Sequence, residues 1–214
     1  GLNPHIIIQP NGFEIEEKFI SNLKNKFKNI NISKTYSGEG IVISNDSAKG
    51  IIIKGVDVKN KKSLNFLKEN ISNGNLTKFK KNTAFIGSEL SFNLGLNVGD
   101  KINLMSSAFV TTPFGGLPKQ ETLTVAGIFN TGFYEFDQNF VFLNISDALS
   151  IFNKDEKDKN LNIYIENPMQ ADSYKKTIQE LNQNYFVYSW SDLNKSFFSA
   201  LKVERNVMFI ILSL

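Results

Sequence analysis

A chain of 214 residues with 41% apolar content and an ordinary charged fraction of 21% can bury one large core or two small ones, which excludes disorder of the whole chain. The formal charge is only +3 and Arg205 is the single arginine, so the planar fork favoured in phosphate and base recognition is scarce and nucleic acid is not an expected partner. Without cysteine there is no disulfide framework, thiolate nucleophile or cysteine-ligated metal, a composition that fits a cytosol and a periplasm equally.

In chain order, Ile6 to Gln9 is a compact β-branched run that predicts a strand. After Pro10 and Gly12, the residues Ile15, Phe19, Leu23 and Phe27 fall at steps of four and predict a helix with one apolar stripe. Ile30 to Tyr36, Gly40 to Ser44 and Gly50 to Val56 read as strands, with Gly38-Glu39-Gly40 as a hairpin turn between the first two. Lys59 to Lys62 reads as a solvated face. Thr83 to Ile86 is a short strand, Ser88 is placed to cap a helix through Leu94, and Gly95 stops that helix because it tolerates the left-handed conformation. Val98, Gly99 and Asp100 form a turn, followed by strand candidates at Lys101 to Ser106, Thr122 to Phe129 and Phe140 to Asn144, after which Ser146 is expected to cap a return helix. Asn153 to Asn160 reads as a solvated loop whose carboxylates lack the spacing of a calcium loop. Leu161 to Glu166 is a strand, Ala171, Tyr174, Ile178 and Leu181 mark a helix stripe, and Tyr185 to Ser189 is a second strand.

The strand, helix, strand order thus occurs at both ends. It predicts an α+β fold: an α/β sandwich formed by both chain ends, residues 1–79 and 145–192, with an inserted β-rich subdomain at 80–144. Residues 193–214 read as a helix entering the apolar run Val207 to Leu214. That run is shorter than the roughly 20 residues that cross a bilayer and ends without a cap, as the start of a truncated transmembrane helix would; a buried terminal helix is the alternative.

The most distinctive stretch, 111–119, contains Thr112, Pro113, Phe114, Gly115, Gly116, Leu117, Pro118 and Lys119. Two prolines remove backbone donors and two glycines loosen the chain, so the centre is expected to leave the ladder and protrude. Phe114 and Leu117 then stand at a loop tip, where exposure costs solvation unless a partner covers them; the alternative is a tight loop that folds both side chains back onto its own subdomain.

No catalytic residue, cofactor or metal site is assigned. There is no phosphate-binding glycine loop, Gly38-Glu39-Gly40 is too short for a dinucleotide fingerprint, and His5, the only histidine, lies beside a predicted strand and reads as structural.

Several segments resemble the periplasmic domain of the LolC/LolE permeases of lipoprotein-releasing ABC transporters. They are Gly1-Leu2-Asn3-Pro4-His5-Ile6, Ile86-Gly87-Ser88-Glu89-Leu90, Leu94-Gly95-Leu96-Asn97-Val98-Gly99-Asp100, Thr112-Pro113-Phe114-Gly115 and Gly132-Phe133-Tyr134-Glu135-Phe136-Asp137. The end of the chain, from Phe197 to Phe209, resembles the stalk that leads such permeases into their second membrane helix, which gives Phe197, Leu201, Glu204, Arg205 and Met208 a stalk role; Leu193, Phe197, Leu201, Glu204 and Met208 share a helical face.

The resemblance implies a MacB-type periplasmic fold, a location at the inner membrane of a Gram-negative bacterium with this domain facing the periplasm, and a role in lipoprotein transport without catalysis in this chain. It further implies a LolD-type ATPase, a second LolC/LolE-type permease subunit, a lipoprotein substrate and a LolA-type carrier that docks on a hook at 112–119. In that hook Pro113 and Pro118 fix the shape, Phe114 and Leu117 are anchors, and Gly115 and Gly116 form the turn. Lys119 is followed by Gln120 and Glu121, a departure from the basic residue expected after the hook, which leaves the polar rim unassigned. A hook points to a LolC-like subunit or a hybrid one. The alternatives are a MacB-like efflux permease that binds an adaptor protein and an FtsX-like module that transmits movement to a cell-wall hydrolase.

Overall fold

The computed structural model describes residues 3–44, 47–60, 64–113 and 115–194. In chain order the elements are β1 (Ile6–Gln9), α1 (Glu17–Lys26), β2 (Asn31–Ser44), β3 (Ser47–Val56), α2 (Asn65–Asn70), β4 (Ile71–Gly74), β5 (Thr83–Gly87) and α3 (Ser88–Leu94). They continue with β6 (Lys101–Thr112), β7 (Gly115–Phe129), α4 (Tyr134–Asn139), β8 (Phe140–Asn144), α5 (Ile145–Ile151), β9 (Asn160–Tyr164), α6 (Ala171–Leu181), β10 (Phe186–Ser189) and α7 (Trp190–Leu193). The fold is mixed, strands and helices together, as the sequence predicts. The chain divides into two compact units, one drawing on residues 1–11, 15–32 and 161–214, the other on 12–14 and 33–160.

In the first unit β1 lies between β10 and β9, antiparallel to both, with Ile6 opposite Ser189 and Ile163, and Ile8 opposite Val187 and Leu161. Alternation along β1 puts Ile6 and Ile8 on one face, where they join Leu161, Ile163 and Val187 in a core closed by Phe19, Ile20 and Leu23 of α1 and Ala171 and Ile178 of α6. Each such aliphatic side chain contributes about 1.5–3 kcal/mol on burial. Tyr185 packs against Phe19 with ring centroids 5.2 Å apart, and its hydroxyl accepts the Glu16 N–H at 3.2 Å, satisfying a donor at the start of α1. His5 is structural: its Nδ1 accepts the Ile165 N–H at 3.0 Å, its carbonyl accepts the Trp190 N–H at 2.9 Å, and burial holds its pKa below the ordinary histidine value. After β10, Ser189 and Asp192 form a capping box on α7, and Lys175 donates to Asp192 at 2.7 Å.

The second unit is a ring of strands. β2 pairs β3, β3 pairs β8, β8 pairs β5, β5 pairs β7, β7 pairs β6, and β6 returns to β2 through Gly40–Ser106 to Ile43–Asn103. Closure removes the free edges that an open sheet would present. Val42, Ile51, Ile53, Ala84, Ile86, Ile102, Leu104, Leu123, Val125, Val141 and Leu143 form one core with Leu90 and Leu94 of α3 and Ala148 and Ile151 of α5. A second, phenylalanine-rich core, with Phe85, Phe129 and Phe142 buried and Phe66 and Phe136 packed against them, lies under α2 and α4.

This arrangement changes the expected boundaries. Residues 33–79 and 145–160, assigned by sequence to the first unit, lie in the second, because β2 and β3 supply two strands of the ring and α5 packs on it. Gly38-Glu39-Gly40 is not a hairpin turn but the middle of a continuous strand. A Cβ on Gly38 would lie 2.6 Å from the Phe152 ring, and one on Gly40 would lie 2.7 Å from Ile53 Cδ1 and the Met105 carbonyl oxygen, so glycine is required for close approach.

Two expected caps also differ. Gly87 is the N-cap of α3 while Ser88 sits in its first turn with a buried Oγ that has no partner, and Asn144 caps α5 by accepting the Ser146 N–H at 3.3 Å. Gly95 ends α3 in the left-handed conformation, φ +62°, as expected. Within 153–160, expected as a loop, Glu156–Asp158 forms a short 3-10 helix capped by Asp155. The short elements α2, β4 and α4 carry no periodic signal long enough to predict.

Candidate functional site

The ring sets the position of the hairpin. β6 pairs with β2 only as far as Ser106, and β7 meets β5 and β4 only from Thr124 onward, so among the described residues the ladder beyond Ser106 joins β6 to β7 alone. A register shift between Met105 and Phe109 marks the departure point. From there Phe109 faces Pro118, Val110 faces Leu117, Thr111 faces Gly116 and Thr112 faces Gly115.

The ladder therefore runs through residues expected to leave it, from Gly115 to Pro118. Pro118 fits because a missing N–H costs little on a strand whose outer edge is unpaired. Gly115 supplies the positive φ, +116°, with which β7 begins. Phe114 and the side chain of Thr112 lie outside the described residues.

The hairpin exposes apolar surface on both faces. Leu117 is 58% exposed and Val110, across from it, 47%; on the other face Phe109 is 65% exposed, with Gly116 close beside its ring. Leu117 is exposed, but it stands in the β7 ladder opposite Val110 and not at the loop tip expected of it. Phe109 and Val110 were missed by sequence reasoning; the signal available was the apolar run Ala108-Phe109-Val110 directly before the prolines.

Lys119 behaves differently from the rest of the predicted site. Its Nζ donates to the Ser150 carbonyl at the end of α5, at 2.6 Å, and Ser150 Oγ donates to Glu121 Oε1 at 2.7 Å. On the β6 limb Ser106 Oγ donates to the Ile151 carbonyl at 2.5 Å and accepts the Ala108 N–H at 3.1 Å.

The predicted stalk residues Phe197, Leu201, Glu204, Arg205 and Met208 lie outside the described residues. Leu193, at the end of α7, is 54% exposed. Among the described residues no helix is long and apolar enough to cross a membrane, and no three or more histidine or acidic side chains gather as a metal site.

Two segments of the LolC-like signature meet in the fold for a structural reason. A Cβ at Gly87 would lie 1.9 Å from the Asp137 carbonyl oxygen. The Asp137 carboxylate, 2% exposed, accepts the Thr131 N–H at 3.0 Å and the Thr131 hydroxyl at 2.7 Å, closing the turn before α4.

No protein-family model matches the chain. It is 30% identical over 131 residues to the lipoprotein-releasing system transmembrane protein LolC of Neisseria meningitidis, an alignment covering 60% of this chain and 32% of that protein. It is 33% identical over 130 residues to LolC of Xylella fastidiosa, covering 60% and 31%. With LolC of Buchnera aphidicola from Acyrthosiphon pisum the identity is 28% over 222 residues, covering 99% of this chain and 53% of the relative. The chain thus spans from about a third to about half the length of these curated relatives.

Among solved structures, the periplasmic region of MacB from Actinobacillus actinomycetemcomitans superposes with a TM-score of 0.56 at 13% identity, covering 93% of this chain and 94% of that one. The extracellular domain of the ABC-type transporter YknZ from Gram-positive bacteria gives 0.54 at 13% identity, covering 87% and 99%. The chain is LolC-like in sequence and carries the MacB-type periplasmic fold.

Proposed function

We propose that this chain is the periplasmic domain of a lipoprotein-releasing permease and that the hairpin from Phe109 to Pro118 is a hook on which a LolA-type carrier docks. The observation that carries the reading is the two-stranded extension beyond a closed ring, with Phe109, Val110 and Leu117 exposed on it. Exposed apolar side chains concentrated on a protruding, backbone-paired element suit a partner's apolar groove, because they are presented at little further ordering cost. In this reading the permease sits in the inner membrane of a Gram-negative bacterium, a LolD-type ATPase and a second permease subunit complete the transporter, and ATP-driven movement of the membrane helices reaches this domain through the segment after Leu193. The lipoprotein then passes to the carrier held on the hook. The chain itself performs no catalysis.

The test is binding of the purified chain to the LolA-type carrier of the same organism, beside a Phe109→Asp, Leu117→Asp variant. Both side chains are exposed, so the variant should keep its thermal midpoint. Loss of two buried anchors, about 3 kcal/mol together, should weaken binding roughly 100-fold. Absence of binding by the wild-type chain to a competent carrier, or equal binding by the variant, refutes the reading; capture of an efflux adaptor instead would support the MacB-like alternative, which the shared fold allows.

A further inference from the structure

We infer that Lys119 and Glu121 are positioning residues of the hook, fastening it to the last turn of α5, and are not rim contacts to the docked partner. The inference rests on the docking reading above.

The carbonyls in the last turn of a helix have no intrahelical donor and need one from elsewhere. At the end of α5 the Ser150 carbonyl, which also accepts the Asn153 N–H at 2.9 Å, takes the Lys119 ammonium as a second donor, and the Ile151 carbonyl takes the Ser106 hydroxyl. The two donors come from opposite limbs of the hairpin, β7 and β6, at the level where it leaves the ring. Ser150 also donates its hydroxyl back to Glu121, so β7 is held at two of its residues, and Ser106 accepts the Ala108 N–H at the register shift.

The helix end is itself fixed. Ile151 is buried in the ring core, and Phe152 covers Gly38 of β2. An ammonium at a helix C-terminus is favoured by the helix dipole, and a charge-assisted bond is stronger than a neutral one. Beyond this latch the hairpin is a two-stranded ribbon, which is marginal by itself, so its direction is set at its base. With its ammonium committed to Ser150, Lys119 supports docking by reducing the ordering cost of the hook.

The experiment is amide hydrogen exchange on the purified chain, with carrier binding measured on the same samples. Lys119→Met should speed exchange of the hairpin amides between Phe109 and Leu117 about tenfold, leave β5 and β8 unchanged, and weaken carrier binding several-fold. Lys119→Arg, which keeps a cationic donor, should restore both readouts. Unchanged hairpin exchange in Lys119→Met overturns the latch, even if carrier binding falls, since Lys119 would then touch the carrier directly. Equal acceleration throughout the second unit also overturns it, because the role would be one of general stability. If exchange behaves as expected while the wild-type chain binds no carrier, the latch stands and the docking reading fails.

Discussion

Lys54 offers a direct test of how the ring is packed. It lies near the end of β3, across from Ser37 and Phe142, with its ammonium 6.0 Å above the Phe142 ring, and burial lowers its pKa from 10.5 to about 8. Both folded and unfolded chains carry the charge below pH 8, so the cost of burying it is fully present there. As pH rises from about 8 to 10.5 the folded state loses the proton and the cost disappears. The full difference corresponds to roughly 3 kcal/mol, and because the residue is only half-buried, water reduces this to about 1–2 kcal/mol.

Lys54→Met keeps the length of the side chain and suits the aromatic surroundings. At pH 7 it should stabilise the second unit by about 1–2 kcal/mol, moving its urea midpoint up by roughly 0.5–1 M for a slope near 2 kcal/mol/M. Repeated at intervals to pH 10.5, the gap between variant and wild type should hold below pH 8 and then close. A gap of zero at pH 7, or one that does not change up to pH 10.5, would refute the reasoning.

Gly87→Ala should destabilise the second unit by about 3 kcal/mol in chemical denaturation, since the new methyl has only the Asp137 backbone to push against. Asp137→Ala leaves the Thr131 N–H and hydroxyl without their acceptor in a buried turn and should cost about 2–3 kcal/mol by the same measurement. His5 titrates below its unfolded value, so its neutral form contributes fully above pH 6.5, and that stability should be lost as pH falls through the depressed folded pKa. A pH series of thermal midpoints should show this loss in the wild type and a smaller one in His5→Gln. Gly38→Ala should lower the midpoint of the second unit, because its Cβ meets the Phe152 ring.

Much of the fold was legible along the chain because it rests on local period. The i, i+4 stripe from Phe19 to Leu23 and the spacing of Ala171, Tyr174 and Ile178 mark faces that one helix must bury, and Ile6 and Ile8 mark the face of one strand. The stretch around Pro113 and Pro118 stood out in composition, but the expectation that it leaves the ladder failed, because Gly115 to Pro118 stay paired with β6.

What the sequence could not supply was pairing between distant strands. Gly38 and Gly40 have the chemistry of a turn, yet β6, some 60 residues later, pairs alongside Gly40, and Phe152 needs the space at Gly38, so the strand runs straight through. That same pairing closes the ring and draws residues 33–79 into the second unit. Lys119 reads in sequence as the last residue of the hook; only the fold brings it to the end of α5. Period and composition fix which residues a single element must hide, whereas ring closure and the hold on the hairpin depend on contacts between residues far apart in the chain, which local pattern does not encode.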